Sequence, residues 1–136
     1  MKDPLKVRLL KRIYESERNV FLRREFKGMA SETQINRVLK QLLDEEKLVR
    51  ISTGIYARTK RSPITNQMIA CKALPELGRE TLRLLGYEIG LSALSIAYNE
   101  GKTTQVPTGR VIAVHASRLP TRKISYRGAT IYYEKR

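Results

Sequence analysis

The sequence predicts an α+β chain of two domains, and three observations carry that prediction. An apolar stripe at helical spacing runs from Ser31 to Asp44 and gives way at once to two alternating segments, "LVRI" and "IYAR", around Ser52-Thr53-Gly54. A nearly uncharged stretch with helical spacing fills the middle of the chain. The C-terminal residues then change to β-branched and aromatic segments. Helices followed by a basic hairpin are the order of a winged helix-turn-helix. The expected architecture is therefore a winged helix-turn-helix over residues 1–61 and a small α+β domain over 62–136, helices first and antiparallel strands after.

Each element has a local reason. "PLKVRLLKRIYE" (4–15) places Leu5, Leu9, Ile13 and also Val7, Leu10, Tyr14 at helical spacings, and Pro4 suits a first turn. Val20-Phe21-Leu22 reads as a brief extended segment leading into a helical turn at Arg23–Phe26, which Gly28 ends. Ser31 and Gln34 form a capping-box pattern at the start of the next helix. Its stripe is Ile35, Val38, Leu39, Leu42 and Leu43, and the hairpin that follows turns at Ser52-Thr53-Gly54. "KRSPITNQ" (60–67) has a proline and no periodicity, which places the domain boundary there. From Ile69, "MIACKAL", "PELGRETLRLLGYEI" and "LSALSIAYNEG" read as two or three short helices, with Leu82, Leu85, Ile89 as one spaced set and Leu91, Leu94, Tyr98 as another. "RVIAVHA", "RKISY" and "ATIYYEK" predict a small antiparallel sheet with a hairpin over Arg127-Gly128.

Hydrophobic residues make up 41% of the 136, but there is no Trp and only two Phe, so aliphatic side chains and Tyr must build the core. The net charge of +14, from 27 basic and 13 acidic residues, points to a polyanionic partner. Its distribution is uneven: residues 1–61 carry +8, residues 62–109 are neutral, and residues 110–136 carry +6. No apolar run approaches the roughly 18 residues of a membrane span. Charges crowd the apolar residues of "MKDPLKVRLL" too closely for a signal peptide, so a cytoplasmic protein without a membrane partner is expected.

Catalytic chemistry has few candidates. Cys71 is the single cysteine, so no internal disulfide forms, and an apolar helical setting makes it a core residue. His115 is the single histidine and lies in a predicted strand, where a structural role is expected. One cysteine and one histidine do not make a zinc site of the usual kind. Asp44, Glu45 and Glu46 stand together at a helix end, where they should face solvent. There is no Walker loop and no Gly-x-Gly-x-x-Gly. No catalytic residue, metal or cofactor is expected.

Binding has more. The helix from Ser31 would enter the major groove of double-stranded DNA, presenting Thr33, Gln34, Asn36, Arg37, Lys40 and Gln41, with its N-terminal dipole near a phosphate. The wing would bring Arg50, Arg58, Lys60 and Arg61 to flanking phosphates. In the second domain Arg110, Arg118, Arg122, Lys123 and Arg127 form the expected basic surface.

Two stretches resemble a known family. "EKLVRISTGIYAR" is similar to the wing of bacterial antitoxin regulators, where a Gly and an aromatic follow a basic strand. "LGYEIGLSALSIAYNEGKTTQVPTGRVIAVHASR" is similar to a pattern of Leu-Gly, a Ser-Ala-rich helix, Asn-x-Gly and Thr-Thr-Gln-Val-Pro leading into a strand. Together they resemble the AbiEi-type antitoxins of type IV toxin–antitoxin systems. The likeness spans nearly the whole chain and is clearest over Asn99–Pro107. It departs at Glu100, where the pattern has leucine, and at Gly90-Leu91, where proline is common. The resemblance implies an autorepressor bound to inverted repeats in its own promoter. It also implies a C-terminal domain that counters an AbiEii-type nucleotidyltransferase toxin, without requiring a stable complex. Thr103, Thr104, Gln105 and Pro107 carry over as motif positions with a structural role. Two other readings stand beside it. One is a plain DNA-binding regulator with a partner-sensing second domain. The other is an RNA-binding protein stacking bases on Tyr126, Tyr132 and Tyr133, against which stands the simpler expectation that alternate tyrosines pack inward.

Overall fold

The structure of the chain, a computed structural model, describes residues 4–136. It is α+β and divides into two compact units, one ending at Lys72 and one beginning at Ala73.

In the first unit, α1 (Pro4–Glu15) buries Leu5, Leu9 and Ile13. Of the other predicted set, Val7 and Tyr14 are exposed, while Leu10 is half-buried against the core. β1 (Val20–Leu22) runs into a 3₁₀ turn at Arg23–Phe26. α2 (Glu32–Asp44) starts on a full capping box: Ser31 Oγ accepts the Gln34 N–H at 3.2 Å, and Gln34 Oε1 accepts the Ser31 N–H at 3.3 Å. Two orphan donors of the first turn are thereby satisfied. The helix stops in a Schellman motif, with Lys47 N–H on Leu42 O at 2.9 Å and Glu46 N–H on Leu43 O at 3.0 Å. Glu46, not glycine, takes the left-handed position (φ 59°). The Asp44-Glu45-Glu46 cluster is exposed, and Glu45 pairs with Lys6 and Lys47; the Lys6 hydrogen bond holds its carboxyl below the usual carboxylate value.

β2 (Leu48–Ser52) and β3 (Ile55–Arg61) form the predicted hairpin, and the sheet order is β1-β3-β2. α1 and α2 pack over this sheet through Leu9, Ile13, Phe21, Phe26, Leu39 and Leu42. Both phenylalanines are thus central to a core expected to be aliphatic.

The segment after β3 departs from expectation. Met68–Ala70 is a strand, β4, antiparallel to the C-terminal half of β3, where a helix was predicted. The turn between them is closed locally: Ser62 Oγ accepts the N–H groups of Ile64 and Thr65, and Ser62 N–H reaches Gln67 O at 2.7 Å. The expected boundary after Arg61 therefore falls inside a hairpin, and the first unit continues to Lys72. Cys71 is half-buried at the end of this strand, with Sγ 3.4 Å from Asn19 Oδ1, and is not in a helix.

In the second unit α3 (Leu74–Leu84) begins with Pro75 in its first turn, a position that has no use for the missing N–H. It ends at Gly86 (φ +92°), with Tyr87 N–H on Leu82 O and Gly86 N–H on Arg83 O. That stop splits the predicted set Leu82, Leu85, Ile89, and Glu88–Leu91 becomes a strand, β5. α4 (Ala93–Asn99) is capped by Ser92 and ends in the same way at Gly101 (φ +73°). The Asn-x-Gly of the family-like motif is therefore a helix stop, and Glu100 sits at its C-cap.

The sheet here has order β5-β6-β9, from Glu88–Leu91, β6 (Val111–His115) and β9 (Tyr132–Lys135). β5 is antiparallel to β6 but β9 is parallel to it, so the sheet is mixed and not antiparallel as predicted. A parallel return needs a long connection. Residues 116–131 supply it, and they include the predicted hairpin over Arg127-Gly128, β7 (Ser125–Tyr126) with β8 (Ala129–Thr130). Among the described residues no helix is long and apolar enough to cross a membrane.

Candidate nucleic-acid interface

α2 buries one face and leaves Thr33, Gln34, Asn36, Arg37 and Lys40 exposed, with Gln41 half-buried beside them. The 3.6-residue period places Thr33, Asn36, Arg37 and Lys40 on a single face. The hairpin turn is tied to that face through a residue the sequence did not single out. Arg23 N–H donates to Gly54 O at 2.8 Å, and Arg23 Nε donates to Asn36 Oδ1 at 2.7 Å. Gly54 takes a φ of +71°, and a Cβ there would meet Arg23 Cβ at an ordinary contact distance of 3.8 Å. Arg50 Nη2 lies 3.4 Å from Thr53 Oγ1, over the same turn. The exposed face of α2, the guanidinium of Arg23 and the hairpin turn thus share one side of the unit. Arg23 could have been suspected only from its position, a basic residue where an extended segment enters a turn.

The expected wing residues separate. Arg50 stays at the turn. Lys60 and Arg61 are exposed but lie about 17–20 Å along β3 from it, at the usual rise per residue. Arg61 Nη1 donates to Asn66 O at 2.7 Å, within the β3–β4 loop. Arg58, expected at a phosphate, is half-buried, and its guanidinium donates to Ser16 O at 3.1 Å and Asn19 Oδ1 at 3.3 Å. It joins β3 to the connection after α1. The first turn of α2 also contains exposed Glu32, which offsets the helix dipole that was expected to favour a phosphate. The cationic weight of the face therefore rests on Arg23, Arg37, Lys40 and Arg50.

In the second unit Arg118 and Lys123 are exposed and Arg122 half-buried, all on the connection after β6. Arg127 caps the β7–β8 hairpin, with its guanidinium 5.3 Å from the Tyr126 ring centre. Arg110 is set apart at the opposite end of β6. The three tyrosines of the RNA-binding alternative do not form a platform: Tyr132 is 61% exposed, Tyr126 lies under Arg127, and Tyr133 is half-buried with its hydroxyl donating to Arg122 O at 2.6 Å. His115 is exposed at the end of β6. Of the motif positions, Thr103 Oγ1 accepts the Gln105 N–H at 3.2 Å, and Gln105 and Pro107 line a cleft of about 180 Å³ near Glu134. Among the described residues no group of His, Cys, Asp or Glu is arranged to hold a metal ion. No family model, curated protein or solved structure matches the chain.

Burial raises the Tyr133 phenol above its ordinary 10.0; nearby Arg122 opposes the shift and Tyr87 adds to it. A folded-state value above the unfolded one means that this contribution is fully present below pH 10 and is lost as pH rises through the folded value. Tyr133→Phe is expected to flatten the fall in thermal midpoint above pH 10. An unchanged profile would assign that loss to other groups.

Proposed function

We propose that the chain is a cytoplasmic DNA-binding autorepressor whose first unit is a winged helix-turn-helix. α2 enters the major groove, the 3₁₀ turn stands in place of the middle helix, and the β2–β3 turn is a short wing. The observation that carries this reading is the Gly54–Arg23–Asn36 link, which puts the wing turn and the polar face of α2 on one side. The β1-β3-β2 order and the net charge support it. On the resemblance stated above, the second unit counters an AbiEii-type nucleotidyltransferase toxin. No side chain is assigned a catalytic role.

The reading is tested by fluorescence anisotropy on a duplex from the chain's own upstream region and on a scrambled duplex, across a salt series. With 5–7 phosphates neutralised the log–log slope is expected to be about −4 to −6 on both, with tighter binding to the native sequence. A flat slope would remove the phosphate contacts, and equal affinities would remove sequence reading.

A further inference from the structure

The second unit contains a cleft that the duplex-binding reading does not use. It is lined by Leu85 and Tyr87, on either side of the α3 stop at Gly86, and by Pro120, Thr121 and Arg122 of the connection after β6. Its volume is about 250 Å³. That lies below the roughly 300 Å³ at which sites for drug-sized ligands begin, and suits one small flat group. The walls are chemically unlike. Tyr87 is half-buried and offers part of its ring, with Pro120 buried beside the cleft, while the connection holding Arg122 also bears Arg118 and Lys123 and no acidic residue. The cationic wall is anchored from behind, because the Tyr133 hydroxyl holds the Arg122 carbonyl at 2.6 Å.

We infer that this cleft holds one nucleotide of a single-stranded nucleic acid, with its base against the Tyr87 ring and its phosphate on Arg122. A ring that stacks and an adjacent anion are the two features the walls complement together. A duplex hides its base faces within the stack, so the site selects unpaired nucleotides. It differs from the tyrosine platform of the RNA-binding alternative. It also does not depend on α2.

The test uses the full chain and a 5′-labelled ten-nucleotide single-stranded RNA of mixed sequence, followed by anisotropy. Tyr87→Leu is expected to weaken binding about tenfold, and Tyr87→Phe to keep it within about twofold, since stacking needs the ring and not the hydroxyl. Arg122→Gln should make the salt slope shallower by about 0.7, one phosphate on a single strand. Thr121→Glu places an anion on the exposed rim without touching the core, and it too should weaken binding about tenfold. Binding should survive Arg37→Glu/Lys40→Glu, which separates this site from the duplex-binding face. If adenosine monophosphate alone binds with the same sensitivities, the site is confirmed and its source is a free nucleotide. The inference is overturned if neither probe binds. It is also overturned if Tyr87→Leu and Thr121→Glu both leave affinity unchanged in folded protein, or if binding disappears with the α2 variant.

Discussion

Reversing the charge of Arg37 and Lys40 together, Arg37→Glu/Lys40→Glu, is expected to lower affinity for duplex DNA at least about a hundredfold at moderate salt, and to make the salt slope shallower by about two. Both side chains lie on the exposed face of α2, and the wing turn is tied to that face through Arg23. If either makes a good base contact, about 1–3 kcal/mol of discrimination disappears with it. The fold should be indifferent, because exposed charges contribute little to stability. Lys60→Glu/Arg61→Glu provides the contrast. Those residues stand at the far end of β3, so their reversal should cost much less. Equal losses from the two pairs would show that the protein attracts DNA by overall charge and does not dock it on α2. Arg58→Ala is unsuited to this comparison, since its guanidinium holds the α1–β1 connection and its loss would perturb the fold.

What the sequence disclosed was mostly what neighbouring residues decide. Ser31 and Gln34 stand three apart and cap α2 as their spacing requires. Thr53-Gly54 turns the hairpin because glycine accepts a φ of +71° at little cost. The stops at Gly86 and Gly101 were equally local, and the predicted helix through Ile89 overran a signal already present in "LLGY". Other features depended on distant partners. Met68–Ala70 is three residues long and apolar, so its periodicity cannot separate strand from helix; only β3 decides it. β9 has the same β-rich character whether it runs parallel or antiparallel to β6, and the length of the intervening connection permits the parallel return. For the candidate interface, the sequence located positive charge but not its obligations. Arg58 and Arg50 look alike on the page, yet one is spent on Ser16 and Asn19 and the other remains at the turn. Arg23 and Asn36 become neighbours only once the chain has folded.

Gly78→Val is expected to destabilise the second unit by about 3 kcal/mol and, on the function proposed above, to abolish toxin neutralisation while sparing duplex binding. Glycine inside a helix costs about 1 kcal/mol relative to alanine, so its place in the middle of α3 needs a reason. The reason is close approach to the sheet. A Cβ at residue 78 would lie 2.9 Å from Ile131 Cγ1 and 3.3 Å from Ile112 Cδ1. Both isoleucines are buried, and both are β-branched, so neither rotates aside easily. Gly78→Ala recovers helix propensity against this crowding, and its net cost should be about 1–2 kcal/mol. Valine adds two methyl groups where one carbon already fails to fit. A loss of that size is a large share of the stability of so small a unit. Two-dimensional NMR of the full chain should show collapsed dispersion for residues from Ala73 onward and native shifts before it. Co-expression with an AbiEii-type toxin, the partner proposed above, scored by growth, then tests the division of labour. Full rescue by Gly78→Val with its second unit unfolded would remove neutralisation from that unit. Loss of duplex binding alongside it would show that the first unit does not act alone. The complementary variant, Arg37→Glu/Lys40→Glu, should still neutralise when expressed from an unrelated promoter, because its second unit is untouched.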